Sequence, residues 1–134
     1  MHVQYVALCD QIILGTDGRP SLIGLFNDLN VPTLPFTLPR LAFAARLLLT
    51  AEEVGRGYKV EIVISDPAGN ELGRPGGDLA LPAPPAGIDS VAVDIPFQFD
   101  FFEIPASGRY TFLLQVDEKP LAAVQLSIRK AQVA

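Results

Sequence analysis

Apolar and polar side chains alternate with a period of two along most of this 134-residue chain, and short turns bearing Gly and Pro interrupt the alternation. The clearest run sets Tyr110, Phe112, Leu114 and Val116 on one side, with Arg109, Thr111, Gln115 and Asp117 on the other. In a strand, successive side chains point to opposite faces, so this period marks half-buried β-structure and not helix. Its recurrence predicts an all-β chain: a two-sheet antiparallel β-sandwich of about eight strands with Greek-key crossovers, forming one domain over residues 1–134.

The first strand is read over residues 3–14, bent or bulged near Cys9-Asp10, where the alternation fails. Gly15-Thr16-Asp17-Gly18-Arg19-Pro20 is a hairpin loop, because its glycines tolerate positive φ and Pro20 opposes helix. A second strand follows over 21–26. Residues 27–39 carry Pro32, Pro35 and Pro39 and are read as an ordered crossover rather than a central strand, since Pro donates no ladder hydrogen bond. Strands three and four occupy 40–50 and 58–65, the fourth with Tyr58, Val60, Ile62 and Ile64 facing inward. Asp66-Pro67-Ala68-Gly69-Asn70 closes a tight turn. A weak fifth strand over 71–81 is broken at Pro75-Gly76-Gly77, and Pro82, Pro84 and Pro85 form a second extended link. The sixth strand places Val91, Val93, Ile95, Phe97 and Phe99 on one face, and Pro96 calls for an edge position or a bulge. The seventh begins at Gly108. Asp117-Glu118-Lys119-Pro120 then turns into the last strand, where Ala122, Val124, Leu126 and Ile128 alternate with polar residues.

Composition narrows the function classes. Hydrophobic residues make up 49% of the chain and charged residues 19%, the balance of a core-former and not of a disordered tail. The formal charge is -5, and basic residues stand singly apart from Arg129-Lys130, so no basic stripe exists for phosphates to follow. Nucleic acid is not an expected partner. Cys9 is the single cysteine, which precludes an intrachain disulfide and fits a reducing cytoplasm. The run Val6-Ala7-Leu8-Cys9 has neither the basic n-region nor the apolar stretch of about 7–15 residues found in a secretory signal. The apolar run 41–49, interrupted by Arg46, falls far short of the roughly 20 residues that a spanning helix needs, so no membrane insertion is expected.

Two local runs resemble those of immunoglobulin-like bacterial sandwich domains. They are Ser65-Asp66-Pro67-Ala68-Gly69-Asn70-Glu71 and Ile104-Pro105-Ala106-Ser107-Gly108-Arg109-Tyr110-Thr111-Phe112. In the second, Tyr110 resembles the tyrosine that pins the corner between sheets. The fold implied is immunoglobulin-like or jelly-roll-like. A longer resemblance runs through Tyr5-Val6-Ala7-Leu8-Cys9-Asp10, Ser21-Leu22-Ile23-Gly24-Leu25-Phe26-Asn27 and the Pro-spaced run into Pro39-Arg40-Leu41. It is to an uncharacterised bacterial family of short single-domain proteins, and it implies no functional residues.

Catalytic chemistry finds little to stand on. His2 and Cys9 are seven positions apart, which in an extended strand is roughly 24 Å, and odd spacing directs them to opposite faces. Cys9 reads as a buried small hydrophobe. One His and one Cys cannot build a structural zinc site in a monomer. Asp66, Asp78, Asp89, Asp94, Asp100, Asp117 and Glu118 lie near predicted strand ends, where loops could gather them around calcium. Turns nevertheless favour Asp for backbone bonding alone, and no closely spaced Asp-x-Asp loop occurs. Gly73-Arg74-Pro75-Gly76-Gly77 precedes no helix and reads as a bulged edge, not a phosphate cradle. No cofactor is expected.

The remaining anomaly is apolar residues on faces that should meet water. Every residue of 41–49 except Arg46 is apolar, and Ile23, Leu25, Val63, Leu113 and Ala123 depart from the polar sides of their strands. One reading covers a central strand on both faces with crossovers such as 27–39. The other makes the outer face of a sheet an interface, with Ile23, Leu25, Leu48, Val63 and Leu113 as its candidate residues. Arg46 among these neighbours would need a carboxylate partner. The function expected on this basis is a non-enzymatic protein–protein interaction or assembly module that binds itself or another protein. The alternative is a small-ligand or carbohydrate-binding sandwich using Phe101, Phe102 and Tyr58, and an enzyme working through loop carboxylates ranks last.

Overall fold

The structure, a computed structural model, describes residues 1–81 and 84–132. Pro82, placed by sequence in the second extended link, lies outside the described residues. Ten strands run in chain order: β1 (His2–Leu14), β2 (Pro20–Leu25), β3 (Asp28–Val31), β4 (Phe36–Thr50), β5 (Gly57–Ser65), β6 (Glu71–Gly73), β7 (Gly76–Ala80), β8 (Ser90–Ile104), β9 (Gly108–Val116) and β10 (Lys119–Lys130). They form two sheets, ordered β2-β1-β4-β8 and β3-β10-β9-β5-β6, with β7 also paired to β5.

Two strands exceed the expected eight, each for a local reason. The crossover 27–39 contains β3, which adds to the edge of β10 in parallel register from Asp28 opposite Ser127 to Val31 opposite Lys130. The sandwich is therefore antiparallel except at this edge, where Val31 is carried into the core. The fifth strand is split in two, because Arg74-Pro75 interrupts its pairing to β5. Gly76 lies so close to β5 that a Cβ there would meet the Val60 carbonyl oxygen at 2.3 Å.

The core lies between the sheets and is built from the predicted alternation. Leu41, Phe43, Ala45, Leu47 and Leu49 of β4 face Tyr58, Val60, Ile62 and Ile64 of β5 and Tyr110, Phe112 and Leu114 of β9. An aromatic cluster fills one end: Phe102 lies 5.7 Å from Phe112, 6.4 Å from Tyr110 and 6.2 Å from Phe99 between ring centroids. Pro96 sits on β8, an outer strand of the first sheet, as a residue without an N–H requires.

The turns follow their chemistry. Asp66 Oδ1 accepts from the backbone N–H groups of Ala68 and Asn70 at 3.0 and 2.8 Å, and Gly69 takes φ 89°. Tyr110 is fully buried and its hydroxyl donates to the Ala106 carbonyl at 2.7 Å, so the predicted corner is present. Asp117 and Glu118 join β9 to β10 with φ of 50° and 66°, the two positive values of a type I′ hairpin. Asp117 is held there because its Oδ1 accepts from the Lys59 N–H at 2.9 Å, whereas among the described residues no hydrogen bond holds the Glu118 side chain.

One detail of β1 overturns a sequence argument. The register against β4 slips between Val3 and Tyr5, so His2 lies opposite Leu48 and Cys9 opposite Ala42, both on the same side of the sheet. The bulge reverses the facing inferred from odd spacing. The two residues nonetheless stay six β4 positions apart, which is about 20 Å.

Two substitutions test these readings. Tyr110→Phe should lower stability by about 1 kcal/mol in urea unfolding with an unchanged m-value, through loss of the corner hydrogen bond. Glu118→Gly should raise it by about 0.5–1 kcal/mol, since glycine adopts the left-handed turn without a Cβ penalty.

Candidate functional site

The five apolar candidates do not share one surface. Val63 and Leu113 lie directly opposite each other on the outer face of the second sheet, and Ala123 of β10 completes the row. Polar rows flank this stripe on both sides, Glu61–Gln115 and Ser65–Thr111–Gln125. Val63 retains 8% exposure because β5 has neighbours on both sides, so it belongs to the packed body of the sheet. Leu48 is half-buried between His2 and Ala92 on the outer face of the first sheet. Ile23 and Leu25 are the exposed members, at 44% and 63%.

These last two sit on a hairpin that folds out of its own sheet. β1 pairs with β4 only as far as Cys9, and beyond that point it pairs with β2 alone. Opposite Asp10 stands Gly24 with φ 72°, where an added Cβ would lie 3.0 Å from Asp10 Cβ. This close approach explains the failed alternation at Cys9-Asp10. Ile12, Leu14 and Pro20 share a narrow crevice with Tyr5, Ala44, Asp94 and Pro96, so the far end of the hairpin lies across the outer face of the first sheet. The cover expected from residues 27–39 is supplied by the β1–β2 hairpin, and Ala44 is small because it lies beneath it. Cys9 is fully buried at the bend, and burial pushes its thiol pKa up, with the Asp10 carboxylate adding to the effect.

Arg46 has the carboxylate that its surroundings demand. Asp94, directly opposite on β8, accepts from Arg46 Nε at 2.8 Å and from a terminal nitrogen at 3.2 Å. The guanidinium also lies 6.0 Å from the centre of the Tyr5 ring. The Asp94 hydrogen bond raises the Arg46 pKa, and burial followed by the Asp94 charge raises that of Tyr5.

Register places Ile13, Ile23 and Leu25 on the other side of the hairpin from Ile12 and Leu22. Ile13 matches Ile23 at 44% exposure and is absent from the off-pattern apolar residues picked out from the sequence, because the alternation marks the first strand only as bent near Cys9-Asp10 and assigns no facing beyond the bend. The available signal was Gly24, a glycine inside an otherwise regular strand, which marks a close backbone approach. Among the aromatic candidates, Tyr58 is buried, with its hydroxyl bonded to the Glu53 carbonyl and to Arg56, and Phe102 packs into the core. Phe101 alone projects outward. Among the described residues, no group of three metal-ligating side chains converges, and no helix is long and apolar enough to cross a membrane.

The sheet order, with β1-β4-β8 facing β10-β9-β5, and the tyrosine at the β8–β9 corner together define an immunoglobulin-like β-sandwich. The chain belongs to a family of unknown function (DUF6941), which it matches over residues 4–129. It is similar to an immunoglobulin-like protein from Pseudomonas aeruginosa, with 12% identity and a TM-score of 0.44 over 96% of this chain and 95% of that one. It is also similar to part of the alkylpurine DNA glycosylase AlkC from Pseudomonas fluorescens, with 12% identity and a TM-score of 0.49. That match covers 92% of this chain and 30% of the glycosylase chain. No curated protein matches in sequence.

The Arg46–Asp94 pair generates a cycle of variants. Asp94→Ala should lower the midpoint of thermal unfolding by several degrees, because it strands a half-buried guanidinium. Combining Arg46→Met with Asp94→Val should restore most of the loss, which differential scanning calorimetry would measure.

Proposed function

We propose that this protein is a non-enzymatic protein–protein interaction module, and that the outward side of the β1–β2 hairpin is its contact surface. The observation carrying this reading is the placement of Ile13, Ile23 and Leu25 side by side and exposed on a hairpin whose outer strand, β2, ends its sheet. Two paired strands alone are marginal in water, and this hairpin is anchored through its opposite side by the half-buried Ile12 and Pro20, with Leu14 at its end still 58% exposed. The outward aliphatics therefore contribute little to folding, and exposing them is unfavourable unless a partner covers them. The unpaired edge of β2 adds backbone donors and acceptors, so strand addition is available as the docking mode. A reducing, cytoplasmic setting accords with the buried Cys9 thiol. The partner class comprises a second copy of this chain or another protein.

The test is the pair Ile23→Lys and Leu25→Lys. Both positions are exposed, so the double variant should unfold within about 0.5 kcal/mol of the parent. It should also lose self-association in sedimentation equilibrium, or lose the partner retained by the parent in pull-downs from its own cells. Retention of every complex by a folded double variant would refute the hairpin surface.

A further inference from the structure

Away from the hairpin, β8 and the start of β4 wall a cleft of about 650 Å³. Both strands break alternation together at this point. Leu38 and Leu41 of β4 both pack against the core although three positions apart, and so do Phe99 and Phe102 of β8. The residues between them are turned outward. Phe101 adopts φ 56° and is 73% exposed. A left-handed backbone is unfavourable for an aromatic residue, and a ring in water recovers almost nothing through packing. Glycine would serve the backbone better here, so the ring has a use other than folding.

The surroundings of the ring indicate what it meets. Asp100 and Glu103 flank it and line the cleft, and no Lys or Arg does so. Among the described residues, neither carboxylate has an ion-pair partner. Arg40, directly opposite Asp100, is directed instead to Gln11 at 3.1 Å and Asp10 at 3.4 Å. Apolar walls are supplied by Pro35, Leu72 and Pro105.

We propose that this cleft receives an arginine or lysine side chain from a basic segment of a partner protein, with the cation against the face of Phe101 and between Asp100 and Glu103. An aromatic face attracts a cation through its quadrupole, and two free carboxylates supply charge-assisted hydrogen bonds. The apolar walls suit the methylene stem of such a side chain. The cleft is far larger than one cationic head, which leaves room for the flanking chain. The net charge of -5 favours encounter with a basic partner. The site shares no residue with the outward face of the hairpin, so either reading can fail without the other.

Three probes would be titrated into the ¹⁵N-labelled full chain and followed by NMR: blocked arginine (Nα-acetyl-arginine N-methylamide), its neutral isostere blocked citrulline, and maltose. Blocked arginine should shift the amides of Thr37, Gln98, Asp100, Phe101 and Glu103, with binding that weakens as salt is raised. Citrulline should bind about tenfold more weakly or not at all. Phe101→Gly should abolish the response while raising the thermal midpoint, a combination that a structural role for the ring would not produce. Asp100→Asn with Glu103→Gln should abolish the response with the fold unchanged. Equal shifts with citrulline, a response to maltose at the same amides, no shift up to the solubility limit of blocked arginine, or a lowered midpoint for Phe101→Gly would each overturn the proposal.

Discussion

Two-sided burial of β4 is the constraint around which the molecule is arranged. Its odd-numbered residues from Leu41 to Leu49 are directed into the core, where each large side chain removed from water contributes on the order of 1.5–3 kcal/mol. Its even-numbered residues Ala42 and Ala44 are just as inaccessible, although they lie on the opposite side of the sheet. A strand in an antiparallel sandwich ordinarily wets one face. Here the wet face is removed by bending β1 at Asp10 and laying the β1–β2 hairpin across it. Small residues on β4 make that close approach possible, and Gly24 makes the bend possible.

Once the hairpin has been used as a cover, its own outer side becomes the new surface. The grease that a flat sheet would have exposed on β4 is thereby moved to Ile13, Ile23 and Leu25. On the opposite sheet, Val63, Leu113 and Ala123 form a row one residue wide between polar rows, which cross-strand packing accounts for without a partner. The same residue types thus have different meanings in the two places. What separates them is whether a neighbouring strand exists to close over the side chain.

Charge is distributed by the same logic. Arg46 sits among apolar neighbours and is neutralised by a carboxylate fixed directly across the ladder, so its geometry is determined by pairing register. Asp100 occupies the corresponding position opposite Arg40, yet that guanidinium turns to Asp10 and Gln11 at the hairpin bend. The bend that covers β4 therefore also withdraws the cation from the cleft beside Phe101. One backbone feature shapes both candidate surfaces.

Much of this fold can be read from local pattern. The Asp66–Asn70 turn, the Tyr110 corner, the edge placement of Pro96 and the need of Arg46 for a carboxylate all depend on residues close in sequence or on rules that hold for any strand. The parallel docking of β3, the Gln4 bulge that brings His2 and Cys9 to one side, and the outward turn of Phe101 opposite Pro39 could not be read in that way. A period of two states that a strand has two faces and which residues share each one. Whether a face is covered depends on strand order and on where a hairpin comes to rest, and these are set by contacts between residues dozens of positions apart. The sequence by itself therefore determined the strands, their turns and the composition of each face. Only the tertiary structure decided that Val63 is enclosed and Leu25 is not, because burial belongs to the assembled sheets and not to the individual strand.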